Sequence, residues 1–149
     1  MTLLALLLLA ADPQPAPGFS LQNAAGYEIK LSKLKGKIVM VNFWATHCAP
    51  CVQEMPWLAD FYQKYRRRNF TIVGISLDDD WSTVKAFLKQ KPVPYNIVLG
   101  NDALSGRYHV EAMPFTALLD RQGRIVWTHT GLIDPQQTER EIQKLLRHH

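Results

Sequence analysis

The chain alternates between short, strongly apolar runs and longer segments whose apolar residues recur every three or four positions. Residues 38–45 (Ile-Val-Met-Val-Asn-Phe-Trp-Ala) are nearly all apolar and β-prone, the pattern of a strand buried on both faces. Residues 70–77 repeat that pattern. Between them, Leu58, Phe61, Tyr62 and Tyr65 stand at helical spacing and predict a helix over 50–67. A second helix is predicted over 81–90, capped by Ser82 or by one of Asp78, Asp79 and Asp80. Residues 27–31 alternate as a short strand, followed by a turn at Lys35-Gly36-Lys37. A short strand at 96–99 and a short helix at 103–108 come next. Strands at 115–119 and 125–130 are joined by the turn signal Arg121-Gln122-Gly123. A closing helix over 135–147 has Asp134 as its cap and Pro135 in its first turn. The order βαβα, then hairpin and helix, predicts an α/β fold: a mixed central sheet with helices on both faces. There is no internal repeat.

A length of 149 residues favours one domain. With 47% hydrophobic and 20% charged residues, wholesale disorder is excluded. The net charge of +4 is too slight to argue for a nucleic-acid partner, and none is expected. Residues 3–11 form an unbroken apolar run, far short of the roughly 20 residues a membrane-spanning helix needs. The run has the length of a signal-peptide core, and Ala10-Ala11 could sit near a cleavage site, but no Lys or Arg precedes Lys30. Either the true start lies upstream, or the run is the remnant of a longer export signal or anchor. Residues 1–11 are therefore read as a signal or anchor remnant, and the proline-rich residues 12–18 as an extended linker. Residues 19–147 are read as the folded domain. His148 and His149 are native or left from a tag, and are set aside.

The chemistry concentrates where the first buried strand hands over to a helix, in Trp44-Ala45-Thr46-His47-Cys48-Ala49-Pro50-Cys51. Two cysteines three apart in a first helical turn can close a small disulfide. Cys48, at the helix start, meets the positive end of the dipole and unpaired amides, which favour its thiolate. Since the thiolate is the attacking species in exchange, Cys48 is placed as nucleophile. Cys51, one turn inside, should be less exposed and is placed to resolve a mixed disulfide. Pro50 stiffens the turn and gives up an amide that a helix start leaves unpaired. A structural zinc site wants four ligands, and no second cysteine pair exists. Dithiol redox chemistry needs no organic cofactor, and none is expected.

The stretch Phe43-Trp44-Ala45-Thr46-His47-Cys48-Ala49-Pro50-Cys51-Val52-Gln53-Glu54-Met55-Pro56 resembles thioredoxin-fold proteins of the envelope-located TlpA/ResA thiol–disulfide oxidoreductase group. Pro17-Gly18-Phe19-Ser20-Leu21, Leu31 to Lys37, Val73 to Asp78, Met113-Pro114 and Asp120 to Ile125 match further motifs of that group in order. The resemblance implies a thioredoxin fold with an extra segment at roughly 81–108, before a cis-proline loop. It implies that Pro114 is cis and faces the dithiol, with the backbone before it free to pair with an incoming peptide. It also implies a partly buried Glu54 beside Cys51. Asn42 stands where thioredoxin proper has a buried Asp and cannot accept a proton, so Glu54 is the proton-acceptor candidate. His47 replaces the group's usual Trp; it is either a bystander or an imidazolium that favours the Cys48 thiolate. Trp44, His47, Met113 and Pro114 are the expected substrate-binding residues.

The expected partners are protein disulfides and dithiols, a membrane electron donor is implied, and the protein is expected to be a monomer in the bacterial periplasm or envelope. Cytochrome c maturation and metal-site cysteine reduction are the roles the resemblance suggests. The competing reading is a Cu(I) chaperone using Cys48, Cys51, His47 or Met113, since soft sulfur ligands suit Cu(I). Related copper-binding thioredoxin folds, however, separate their cysteines by three residues rather than two. A thiol peroxidase ranks last, because Thr46 is two rather than three residues before Cys48.

Overall fold

In the computed structural model, which describes residues 12–148, the two long apolar runs lie side by side at the centre of a six-stranded sheet. They are β4 (Ile38–Trp44) and β5 (Phe70–Ser76), paired in parallel from Ile38–Phe70 to Trp44–Ser76. Every residue of β4 is buried, as continuous apolarity requires of a strand covered on both faces. β6 (Asn96–Leu99) extends the sheet in parallel beyond β5. On the other side β7 (Phe115–Leu119) runs antiparallel to β4, and β8 (Arg124–Thr130) antiparallel to β7. β1 (Gln14–Pro15) completes the order β1-β8-β7-β4-β5-β6.

The helices α1 (Ala49–Tyr65), α2 (Trp81–Gln90) and α4 (Pro135–Arg147) share one core with Ile38, Met40 and Trp44. The alternate β4 residues Val39, Val41 and Phe43 face the other way, toward α3 (Asp102–Arg107) and the hairpin β2–β3 (Ser20–Gln22 and Glu28–Lys30). The expected α/β architecture, a mixed sheet with helices on both faces, is the one observed. Asp80 caps α2 by accepting from the Thr83 amide, and Asp134 caps α4 with Pro135 in its first turn.

Two differences concern the N-terminal side. The proline-rich stretch read as a linker is laid onto the sheet: Gln14 pairs with Ile125 and Pro15 with Arg124. A proline is admissible there because an edge strand leaves one side of its ladder unused. The Tyr108 hydroxyl also donates to the Pro17 carbonyl at 2.7 Å. β2 is absent from the sequence-based expectation; three residues with a single half-buried side chain carry no readable period. The apolar run at 3–11, read as signal or anchor, and His149 lie outside the described residues. Among the described residues, no helix is long and apolar enough to cross a membrane.

Candidate active site

β4 ends at Trp44, and the chain reaches Cys48 in four residues. Cys48 is the N-cap of α1, and its sulfur accepts from the Cys51 amide at 3.4 Å. The two cysteines are joined as a disulfide with their Cα atoms 5.3 Å apart. Cys48 is half-buried, whereas Cys51 is 1% exposed. The amide that donates to the Cys48 sulfur, together with the helix dipole, would stabilise a thiolate at that atom once the bond is reduced.

The loop before Cys48 is fastened by Asp78, just past β5. Its carboxylate accepts from the Thr46 amide at 3.0 Å, the Thr46 hydroxyl at 2.7 Å and the Ser76 hydroxyl at 2.6 Å. Burial opposes the charge on Asp78, but these hydrogen bonds and the nearby His47 outweigh it and hold the carboxyl below its usual range. His47 Nδ1 lies 3.6 Å from the same carboxylate on a side chain that is 78% exposed. The Thr46 hydroxyl is thus committed to Asp78.

Glu54, one turn beyond Cys51 on the same helical face, is completely buried. Both carboxylate oxygens are occupied. Oε1 accepts from Asn42 Nδ2 at 2.8 Å, and Oε2 accepts from the Ile133 amide at 3.1 Å. Asn42 Nδ2 also donates to Thr116 Oγ1 at 3.2 Å, and the register places Thr116 directly across from Asn42. Burial pushes the Glu54 carboxyl above its usual range, while the Ile133 amide, the Asn42 amide and the nearby His129 pull it partly back.

The peptide bond Met113–Pro114 is cis. Because β7 is antiparallel to β4, with Phe115 opposite Phe43, the start of β7 and the end of β4 lie at the same edge of the sheet. The cis-proline loop and the dithiol therefore share that edge. The Pro114 carbonyl accepts from the Gly131 amide at 2.7 Å. Pro114 is buried and Met113 half-buried against the core that carries Cys51.

Trp44 needs a correction. Expected to touch a bound partner, it is 1% exposed, with its ring 5.4 Å from that of Phe87. Its ring nitrogen lies in ordinary contact distance of where a Cβ at Gly74 would stand, 3.4 Å, whereas the Ile97 side chain, at 2.6 Å, leaves that Cβ no room. Trp44 supports the motif from beneath and presents no surface to a substrate. Among the described residues, no group of three or more His, Cys, Asp and Glu side chains is placed to hold a metal ion.

The AhpC/TSA family model matches residues 13–128. A thiol-disulfide oxidoreductase ResA of Bacillus cereus is 34% identical over 131 residues, covering 87% of this chain and 76% of that protein. The chain belongs to the AhpC/TSA family and is a ResA-like thiol–disulfide oxidoreductase. ResA of Bacillus subtilis (strain 168) is 36% identical over 122 residues, 81% of this chain and 68% of the other. Among solved structures, a candidate thiol:disulfide interchange protein DsbE from Chlorobium tepidum superposes with a TM-score of 0.86 at 31% identity, covering 90% of this chain and 96% of the other. A thioredoxin family thiol:disulfide interchange protein from Chlorobium tepidum TLS gives 0.82 at 27% identity over 92% and 99%.

In this oxidoreductase the spacing of three puts Cys51 and Glu54 on one buried helical face, while Cys48 caps the start of the same helix. What sequence reasoning missed is polar and long-range: Asp78 as the anchor of the loop, and the Ile133 amide as the second donor to Glu54. Asn42, discounted because it accepts no proton, serves as a donor. A lone Asn within a buried apolar strand was the one available signal, since a buried amide demands a partner.

Proposed function

We propose that the protein reduces disulfides in extracytoplasmic proteins, with Cys48 as nucleophile, Cys51 as resolving thiol and Glu54 as proton acceptor. The Cys48 thiolate attacks one sulfur of a partner disulfide, forming a mixed disulfide and releasing the other sulfur as a thiolate. Glu54 takes the Cys51 proton; the Cys51 thiolate then attacks Cys48 Sγ, closing the Cys48–Cys51 bond and releasing the second partner sulfur. Two electrons pass to the partner, and a membrane electron donor restores the dithiol.

The observation that supports this assignment is Glu54 itself, a completely buried carboxyl held in one orientation one turn from Cys51. A carboxyl whose affinity for protons is raised by burial is suited to receive one from a neighbouring thiol. Met113 and Pro114, at the same edge of the sheet as the dithiol, offer the backbone to which a partner segment would pair, with His47 at its rim. The envelope as location and the monomeric working form rest on the resemblance. The substrates it suggests are the haem-site cysteines of apocytochrome c and cysteines of metal sites.

The deciding experiment is the reduction potential of the Cys48–Cys51 pair, combined with transfer to a peptide bearing an oxidised Cys-X-X-Cys-His segment. A potential near the thioredoxin value of about −270 mV, with reduction of the peptide, supports the reading. A value near about −120 mV would make the protein an oxidant.

A further inference from the structure

The Glu54 carboxylate is reached from solvent by one continuous line of hydrogen bonds that does not pass through the cysteines. His129, half-buried on β8, lies beside Thr116 in the sheet register, and its ring stacks on Trp127 with centroids 5.8 Å apart and planes 9° apart. Its Nε2 is 2.9 Å from the Leu132 carbonyl oxygen. A carbonyl only accepts, so that nitrogen carries the hydrogen. The Leu132 carbonyl and the Ile133 N–H are the two ends of one peptide unit, and that N–H donates to Glu54 Oε2 at 3.1 Å.

We propose that His129 is a positioning residue for the thiol–disulfide reaction: through the Leu132–Ile133 peptide it both holds the donor against Glu54 and passes its own charge state to that carboxylate. Hydrogen bonds in series polarise one another, so a stronger donor at the carbonyl end makes the amide at the other end a stronger donor too. An imidazolium is a charge-assisted donor and outdoes a neutral ring. When His129 takes up a proton, the ionised form of Glu54 is favoured; when it loses the proton, Glu54 holds its own more tightly.

Among the described residues, no other group packed near Glu54 supplies a positive charge in this way. From α1 the neighbour is Cys51, which titrates only once its disulfide is reduced. Tyr95, ahead of β6, is held above the usual range by burial and by the Glu54 charge, and stays neutral. At the start of α4, Asp134 is occupied by the Gln136 and Gln137 amides at 2.9 and 3.0 Å. β4 and β7 contribute the neutral Asn42 and Thr116.

The inference rests on Glu54 as the proton acceptor, and its test separates the two. His129→Phe keeps a ring for Trp127 but removes the N–H; His129→Gln keeps an uncharged donor of similar reach. Two readouts are followed: the carboxyl titration of Glu54 by carbon NMR, and the pH profile of mixed-disulfide resolution. For His129→Phe both midpoints should rise by about half a pH unit or more, with His129→Gln between it and the wild type. In a Glu54→Gln background, His129→Phe should leave the resolution profile unmoved. An unmoved Glu54 titration in both His129 variants would overturn the proposal, as would a profile shift that persists in the Glu54→Gln background. A Glu54→Gln profile identical to wild type would instead remove Glu54 from the proton step, and the NMR titration would still decide whether His129 reaches it.

Discussion

Asn42 and Glu54 lie on different elements, one in β4 and the other in α1, and meet at 2.8 Å with the amide donating to the carboxylate. The same Asn42 nitrogen reaches Thr116 on β7 at 3.2 Å. An amide that cannot take a proton thus gives one hydrogen to a group that can, and is itself held in place by giving the other to Thr116. Replacing it by a carboxylate converts a donor into a rival.

Asn42→Asp should therefore be a pH-dependent defect. Two buried carboxyls at hydrogen-bond distance cannot both ionise, so they share a proton and their native affinity for it rises. Stability is present in acid and lost as pH rises. Urea denaturation should show a cost of about 2–4 kcal/mol near neutral pH, largely recovered near about pH 4. An equal loss at both pH values would contradict the arrangement.

For wild type, the raised Glu54 carboxyl implies a smaller slope of the same sign. The unfolded chain releases this proton near the ordinary value of 4.5, while the native state keeps it to higher pH. Stability attributable to Glu54 is fully present below that value and falls as pH rises through the native one. Glu54→Gln should flatten the slope and slow mixed-disulfide resolution near neutral pH. Resolution kinetics unchanged from about pH 5 to 9 would leave Glu54 a structural role only.

The unequal exposure of the two sulfurs gives the third expectation. Cys51→Ser should accumulate mixed disulfides through Cys48, whereas Cys48→Ser should trap almost none, because Cys51 is buried behind it. Thiol trapping followed by intact-mass measurement distinguishes these outcomes, and equal trapping by both variants would reverse the assignment.

Asp78→Ala removes the acceptor for two Thr46 donors and for Ser76. The loss should be about 2–3 kcal/mol near neutral pH. Since the native carboxyl ionises below the ordinary value of 3.8, this contribution is present above that value and fades as pH falls through the native one. Variant and wild type should converge in strong acid. His47→Ala, at the exposed end of its 3.6 Å contact with Asp78, should cost less than about 0.5 kcal/mol.

Trp44→Ala discriminates support from contact. A buried Trp of this kind should cost about 3–5 kcal/mol when truncated. At a temperature where the variant remains folded, its KM for a partner disulfide should match wild type. A raised KM with little loss of stability would restore Trp44 to the binding surface.

Much of this protein is legible without its structure. Residues 38–45 and 70–77 announce the two central strands because continuous apolarity leaves a strand no solvent face. Cys48 and Cys51 are tied to one helical turn by their spacing alone, and Asp134-Pro135 marks the start of α4 at its observed position. The resemblance supplied the cis bond at Pro114 that no spacing rule contains. By contrast, β1 and β2 are too short for a period, and a proline at 15 argues for a linker until β8 offers it an edge.

Trp44 eludes a sequence-based assignment for a related reason. In a strand covered on both sides, no alternation says which large side chain surfaces at its end. The partners of Glu54 lie beyond any local rule: Asn42 is 12 residues away, and the Ile133 amide is 79. Backbone geometry dictates which residues of one turn or strand share a face, so local chemistry can be read from spacing. Strand order and register dictate which distant polar groups meet, and burial then obliges them to pair. That is why the dithiol belongs to the sequence, whereas the environment of its proton acceptor belongs to the fold.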